Sequence, residues 1–70
     1  MKEYRVYMVD LYFMDESLED VENWDNERFI QEAENQGLVY SLKGFEDQWR
    51  KGNIGYCDFS CLRILEVEAY

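Results

Sequence analysis

Seventy residues make one domain, close to the lower size at which a single core suffices, and an apolar share of 47% with six Tyr, four Phe and two Trp argues against disorder. Sixteen acids against seven bases give a formal charge of −9, which disfavours direct binding to nucleic-acid backbones and anionic membrane surfaces. No apolar run approaches the roughly 20 residues of a membrane span, and the first ten residues carry acids and tyrosines where a signal peptide has an apolar segment, so a cytoplasmic, mature, full-length chain is expected.

Residues 2–13, KEYRVYMVDLYF, read as a strand, dense in the Tyr, Val and Phe that fit a pleated surface. Tyr7, Val9, Leu11 and Phe13 fall on one side, with Tyr4, Val6, Met8 and Tyr12 on the other. A strand apolar on both sides is central or covered on both faces, and in so small a domain the second cover could be another subunit. Asp10 interrupts the even face, which suits a sheet end or edge.

Residues 15–36 hold nine carboxylates and one base, Arg28, and so carry −8 of the net charge. Residues 15–24 are open between helix and loop: Ser17 with Asp20 three residues on is a capping pattern that would turn Leu18 and Val21 inward. One helix running through to Gln36 would scatter Leu18, Val21, Trp24, Phe29, Ile30 and Ala33 over too wide an arc, which places a break near residues 23–25. After the break, Asp25 as N-cap puts Trp24 and Phe29 at the two positions of a hydrophobic staple. Gly37 then suits a left-handed ending, with Leu38 reaching back to Ala33.

Residues 38–40 form a very short strand or extended link. Ser41 caps a further helix in which Tyr40 staples onto Phe45, and Leu42, Phe45 and Trp49 form its inner stripe. Arg50 and Lys51 suit its last turn and Gly52 its end, while Gly44 in its first turn weakens it. After a turn at 53–55, residues 56–68 read as the last long strand. The order strand, helix, short strand, helix, strand is that of a small α+β two-layer domain, with the two long strands paired and both helices on one face.

Little chemistry is written into these residues. Cys57 and Cys61 on a strand are about 13 Å apart, beyond a disulfide or a shared metal, and with no histidine the pattern expects Cys57, Phe59 and Cys61 to be apolar members of the sheet. Neither cysteine has the usual base to activate it, the four glycines make no phosphate loop, and the acids lie in a polar block where solvated ionisation is the default. Neither catalysis nor a cofactor is expected. Lys43, Arg50 and Lys51 are mixed with Glu46 and Asp47, so they form no basic footprint for nucleic acid.

Residues 37–49, GLVYSLKGFEDQW, followed by a terminal aromatic strand with Cys-Leu-Arg-Ile at 61–64, resemble small uncharacterised bacterial proteins of the mobile-element type that share a YSLxxF helix start. The resemblance spans the C-terminal half. It implies a genomic context and transfers no catalytic residue.

Two functional expectations follow. The first is a non-catalytic protein–protein interaction domain, its partner carrying a basic surface, with self-association through an apolar sheet face as an added possibility. The second is an acidic mimic of phosphates that inhibits a nucleic-acid-handling enzyme, since rigidly held carboxylates match phosphates in charge and hydrogen-bond acceptance. The candidate face in either case is Asp15, Glu16, Glu19, Asp20, Glu22, Asp25 and Glu27. A solvated acidic surface with no partner is the plainer account of the same residues.

Overall fold

The computed structural model describes residues 1–53 and 60–68. Strand β1 (Lys2–Asp10) is central in a three-stranded antiparallel sheet of order β2-β1-β3, where β2 is Val39–Ser41 and β3 is Ser60–Glu68. The long strands pair along their whole length, from Lys2 opposite Glu68 to Asp10 opposite Ser60. Between them run a 3-10 turn (Leu11–Phe13), α1 (Leu18–Glu22), α2 (Asn26–Gln36) and α3 (Leu42–Arg50).

The class α+β and the pairing of the long strands are as the sequence predicts. The last strand is described over Ser60–Glu68, within its expected range, and residues 56–59 of that expectation, Cys57 and Phe59 among them, lie outside the described residues. Two expectations differ. The first strand stops at Asp10, because the Asp10 carboxylate accepts from the Tyr12 amide and turns Leu11–Phe13 into a 3-10 turn. The helices do not share one face.

Strand parity shows that last difference. Tyr7 faces Arg63 and Val39, and Val9 faces Cys61; these odd positions point to α1 and α2, with which Tyr7, Val9, Val21, Trp24, Phe29, Ala33 and Cys61 form one core. Val6 and Met8 point the other way, are as completely buried, and stand beside Leu62 and Tyr40. Tyr40 and Leu62 lead directly to α3: the Tyr40 ring meets Phe45 at 6.1 Å, and Leu62 lines a cleft with Phe45 and Trp49. The two-sided apolar strand is therefore covered on both faces from within one chain. Because Ser41 ends β2 and caps α3 in the same residue, no linker exists to carry α3 round the sheet edge to join α2.

Local signals set the helix bounds as expected. Ser17 Oγ accepts from the Asp20 amide and opens α1, which ends at Asn23. Asp25 then accepts from the Arg28 amide and opens α2, with Trp24 and Phe29 both buried as the staple requires. At Gly37 (φ +74°) the Leu38 amide bonds Ala33 O and the Gly37 amide bonds Glu34 O, the paired contacts of a Schellman ending. Gly52 (φ +75°) repeats the arrangement onto Gln48 and Trp49. Gln36 fixes α2 to the sheet by accepting from the Asp10 amide at 2.8 Å while its own amide donates to Asp10 O.

Candidate functional site

The seven acids of the candidate face all lie on or before α1 and α2, on one layer of the molecule. Six are exposed and Glu16 is half-buried. Most have a local reason to be there. Asp25 is the N-cap of α2, while Glu19, Asp20 and Glu27 occupy first turns, where carboxylates oppose the positive end of the helix dipole. Glu16 pairs with Arg28 at 3.4 Å, and the Arg28 guanidinium also lies 4.2 Å over the Trp24 ring. That leaves Asp15 and Glu22 with no capping, first-turn or ion-pair role among the described residues.

The backbone under this layer is held by a residue the sequence did not single out. Arg63, on the inward row of β3, reaches across to the end of α1. Its Nη2 donates to the carbonyls of Trp24 (2.8 Å), Glu22 (3.1 Å) and Val21 (3.3 Å), while Nη1 donates to Asn26 Oδ1 (3.0 Å). The same guanidinium lies 4.5 Å over the Phe29 ring. A cation thus supplements the bonding of the carbonyls at the C-terminal end of a five-residue helix, where Val21 O also accepts from the Trp24 amide, and it ties α1, the α1–α2 corner and β3 together. A strand reading assigns Arg63 only to a face; its partners are set by where α1 stops.

Cys61 sits in the core beside this cluster and is a free thiol. Burial pushes its pKa up, the Glu22 carboxylate adds to that rise, and Arg63 opposes it. The thiol is therefore a buried apolar residue of the sheet, as its strand position implies. Among the described residues no three His, Cys, Asp or Glu side chains converge as a metal site would require, and every described carboxylate is exposed or half-buried.

The opposite layer is less well closed. α3 buries none of its residues completely: Leu42 and Phe45 are half-buried, and Trp49, the last member of the expected stripe, is 47% exposed. Phe45 and Trp49 stack at 5.7 Å and, with Glu46, Arg50 and Leu62, line a cleft of about 260 Å³ between α3 and β3. Ile64 beside it is 49% exposed, and Tyr4, one strand over, 52%. Nine residues of helix cover Val6 and Met8 of β1 but neither Tyr4 nor the strand beyond.

β3 is also the edge of the sheet, with no neighbour on its outer side among the described residues. The direction of its free groups follows from one bond. The Met8 amide donates to Leu38 O on the β2 side. By antiparallel alternation, odd β1 residues then exchange bonds with β3, so that Cys61, Arg63 and Leu65 turn inward. The N–H and C=O groups of Leu62, Ile64 and Glu66 therefore face the open edge, and their side chains stand on the α3 side.

Compared with protein-family models, with curated proteins and with solved structures, the chain matches none. No helix among the described residues is long and apolar enough to cross a membrane.

Proposed function

We propose that the chain acts by binding, as a protein–protein interaction domain without a catalytic role, and that its partner is basic. The observation that carries this reading is the apolar opening between α3 and β3. Large half-exposed side chains, Trp49 and Ile64, flank an apolar cleft next to a sheet edge, an arrangement suited to receiving a partner's side chain. The net charge of −9 selects the sign of the partner. Affinity capture from the native host with the immobilised chain tests it, alongside the Trp49→Ser/Ile64→Ser variant, whose changes fall on half-exposed positions. A basic polypeptide retained by the parent chain, released by high salt and absent from the variant is the expected result. Equal recoveries from both would remove the reading.

The phosphate-mimic reading has one observation in its favour: the Arg63 clamp holds the backbone that displays Glu19, Asp20 and Glu22. It predicts capture of a nucleic-acid-handling enzyme that is abolished in Glu19→Gln/Asp20→Asn/Glu22→Gln. Unchanged capture by that triple variant would rule the mimic out.

A further inference from the structure

The geometry points to the open edge of β3 as the place where the partner docks, by adding an extended segment antiparallel to Leu62–Glu68 and setting an aromatic or aliphatic side chain into the α3–β3 cleft. This rests on the interaction-domain reading and names the surface and the chemistry recognised. Two independent observations converge on it. The first is the ladder: Leu62, Ile64 and Glu66 present N–H and C=O outward, which is what an added strand needs. The second is that these same residues carry their side chains on the α3 side, where the cleft opens at Leu62. Backbone pairing and side-chain insertion are therefore available to one segment at once.

Charge sets which segment fits. Along the α3-side row of β3 the sequence runs Leu62, Ile64, Glu66, Glu68, apolar then acidic. Among the described residues Glu66 pairs with Lys2 (3.4 Å) and Glu68 with the N-terminal amine (3.7 Å), both exposed pairs that a better-placed cation can replace at little cost. An antiparallel strand opposite Glu68 to Leu62 is then matched by basic, basic, aliphatic and aromatic residues at alternate positions. A second copy of the chain pairing about Ile64 would set Glu66 against Leu62 of the other copy and bring together two molecules of charge −9. The observations favour the basic segment.

The probe is the blocked peptide Lys-Thr-Lys-Thr-Ile-Thr-Phe, titrated into the isotopically labelled full chain and followed by amide and indole NMR shifts. Shifts concentrated on Leu62, Ile64, Glu66 and the Trp49 indole are expected, with binding roughly tenfold weaker when both lysines of the peptide are replaced by glutamate. N-methylation of the peptide Ile, which faces Ile64 and its outward groups, should abolish binding; N-methylation of the Thr facing Leu65 should leave it unchanged. Ile64→Pro removes one outward N–H and no bond to β1, and should abolish binding in the same way; the methylated peptides carry the test should that variant not fold. No shift at about 5 mM peptide, enough to fill most of a site with a Kd near 1 mM, overturns the proposal. So do equal losses from the two methylated peptides, or concentration-dependent shifts of the same amides without peptide, which would give the edge to a second copy. A partner captured equally by the parent chain and Ile64→Pro would remove the edge while leaving the interaction reading intact.

Discussion

Replacing Arg63 should cost this domain far more than an ordinary change of a half-exposed polar residue, and the size of the loss can be worked from its contacts. Nη2 has two hydrogens for three carbonyls, so it amounts to two full bonds, and Nη1 adds a third to Asn26. Charged donors are worth about 1.5–3 kcal/mol each when buried; for a half-buried guanidinium about 1 kcal/mol apiece is the defensible figure. Its position over Phe29 adds about 0.5–1 kcal/mol. Arg63→Ala should therefore lose about 3–4 kcal/mol, against a total of about 4–10 kcal/mol for a domain of this length. Arg63→Lys keeps the charge but loses the planar fork, and should recover no more than half. Asn26→Ala, which loses a single contact, should cost about 1 kcal/mol. Urea unfolding measures this: with a slope near 1 kcal/mol/M, the Arg63→Ala midpoint should fall by about 3 M. Hydrogen exchange supplies the location, since the Asn23 and Trp24 amides that close α1 should lose protection first. A midpoint shift below about 1 M, or protection in α1 unchanged, would refute the clamp.

Gly37 holds φ +74° with nothing near where a Cβ would sit, so Gly37→Ala should lose about 1 kcal/mol through backbone strain alone, and Gly37→Asn less; thermal melts of the two decide it. A Cβ on Gly44 would stand 2.8 Å from Ser41 Oγ, the cap of α3, so Gly44→Ala should fail to deliver the roughly 1 kcal/mol that propensity promises. In a Ser41→Ala background, itself about 1 kcal/mol less stable, the same substitution should become stabilising, and an additive double-mutant cycle would refute the contact. The raised Cys61 thiol stays protonated longer in the folded chain than in the unfolded one, so its contribution is complete below the unfolded pKa and fades as pH rises through the folded one. Made in a Cys57→Ser background so that Cys61 alone reports, thiol-reagent kinetics should be slow in the folded state and rise on unfolding; immediate reaction would contradict its burial.

What could be read in advance were the contacts made within a few residues of chain. Ser17, Asp25, Ser41, Gly37 and Gly52 act as the sequence pattern predicts, because a cap or a left-handed ending is decided by neighbours three to five residues away. The two-sided apolar character of β1 was likewise legible, and with it the need for a second cover. Which element supplies that cover was not. α3 lies opposite α2 because of the direction in which the chain leaves Ser41, a property of turn geometry that apolar periodicity does not encode. The role of Arg63 was hidden for a related reason: three of its four acceptors are backbone carbonyls some forty residues away, and any residue type supplies a carbonyl. The acidic face was the most conspicuous feature of the sequence, yet capping and first-turn placement account for much of it. The α3–β3 opening left a fainter mark, a nine-residue helix set against a strand apolar on both sides.

The two binding readings make opposite demands on the same charges. The acids of α1 and α2 lie on the opposite side of the sheet from the α3-side row of β3, Leu62, Ile64, Glu66 and Glu68. With a screening length of about 8 Å at physiological salt, acids across the sheet bias the approach of a basic partner more than they contribute to its contacts. Glu66 and Glu68 lie on the edge itself. If a basic segment docks there, neutralising Glu66 and Glu68 should weaken equilibrium binding severalfold at physiological salt, whereas Glu19→Gln/Asp20→Asn/Glu22→Gln should chiefly slow association and lose even that effect as salt rises. Surface-captured kinetics at two salt concentrations separate association from dissociation and so separate the cases. The reverse ranking, with the triple variant accelerating dissociation and the Glu66/Glu68 changes silent, would move the contact to the α1–α2 layer and make the carboxylates there the binding groups.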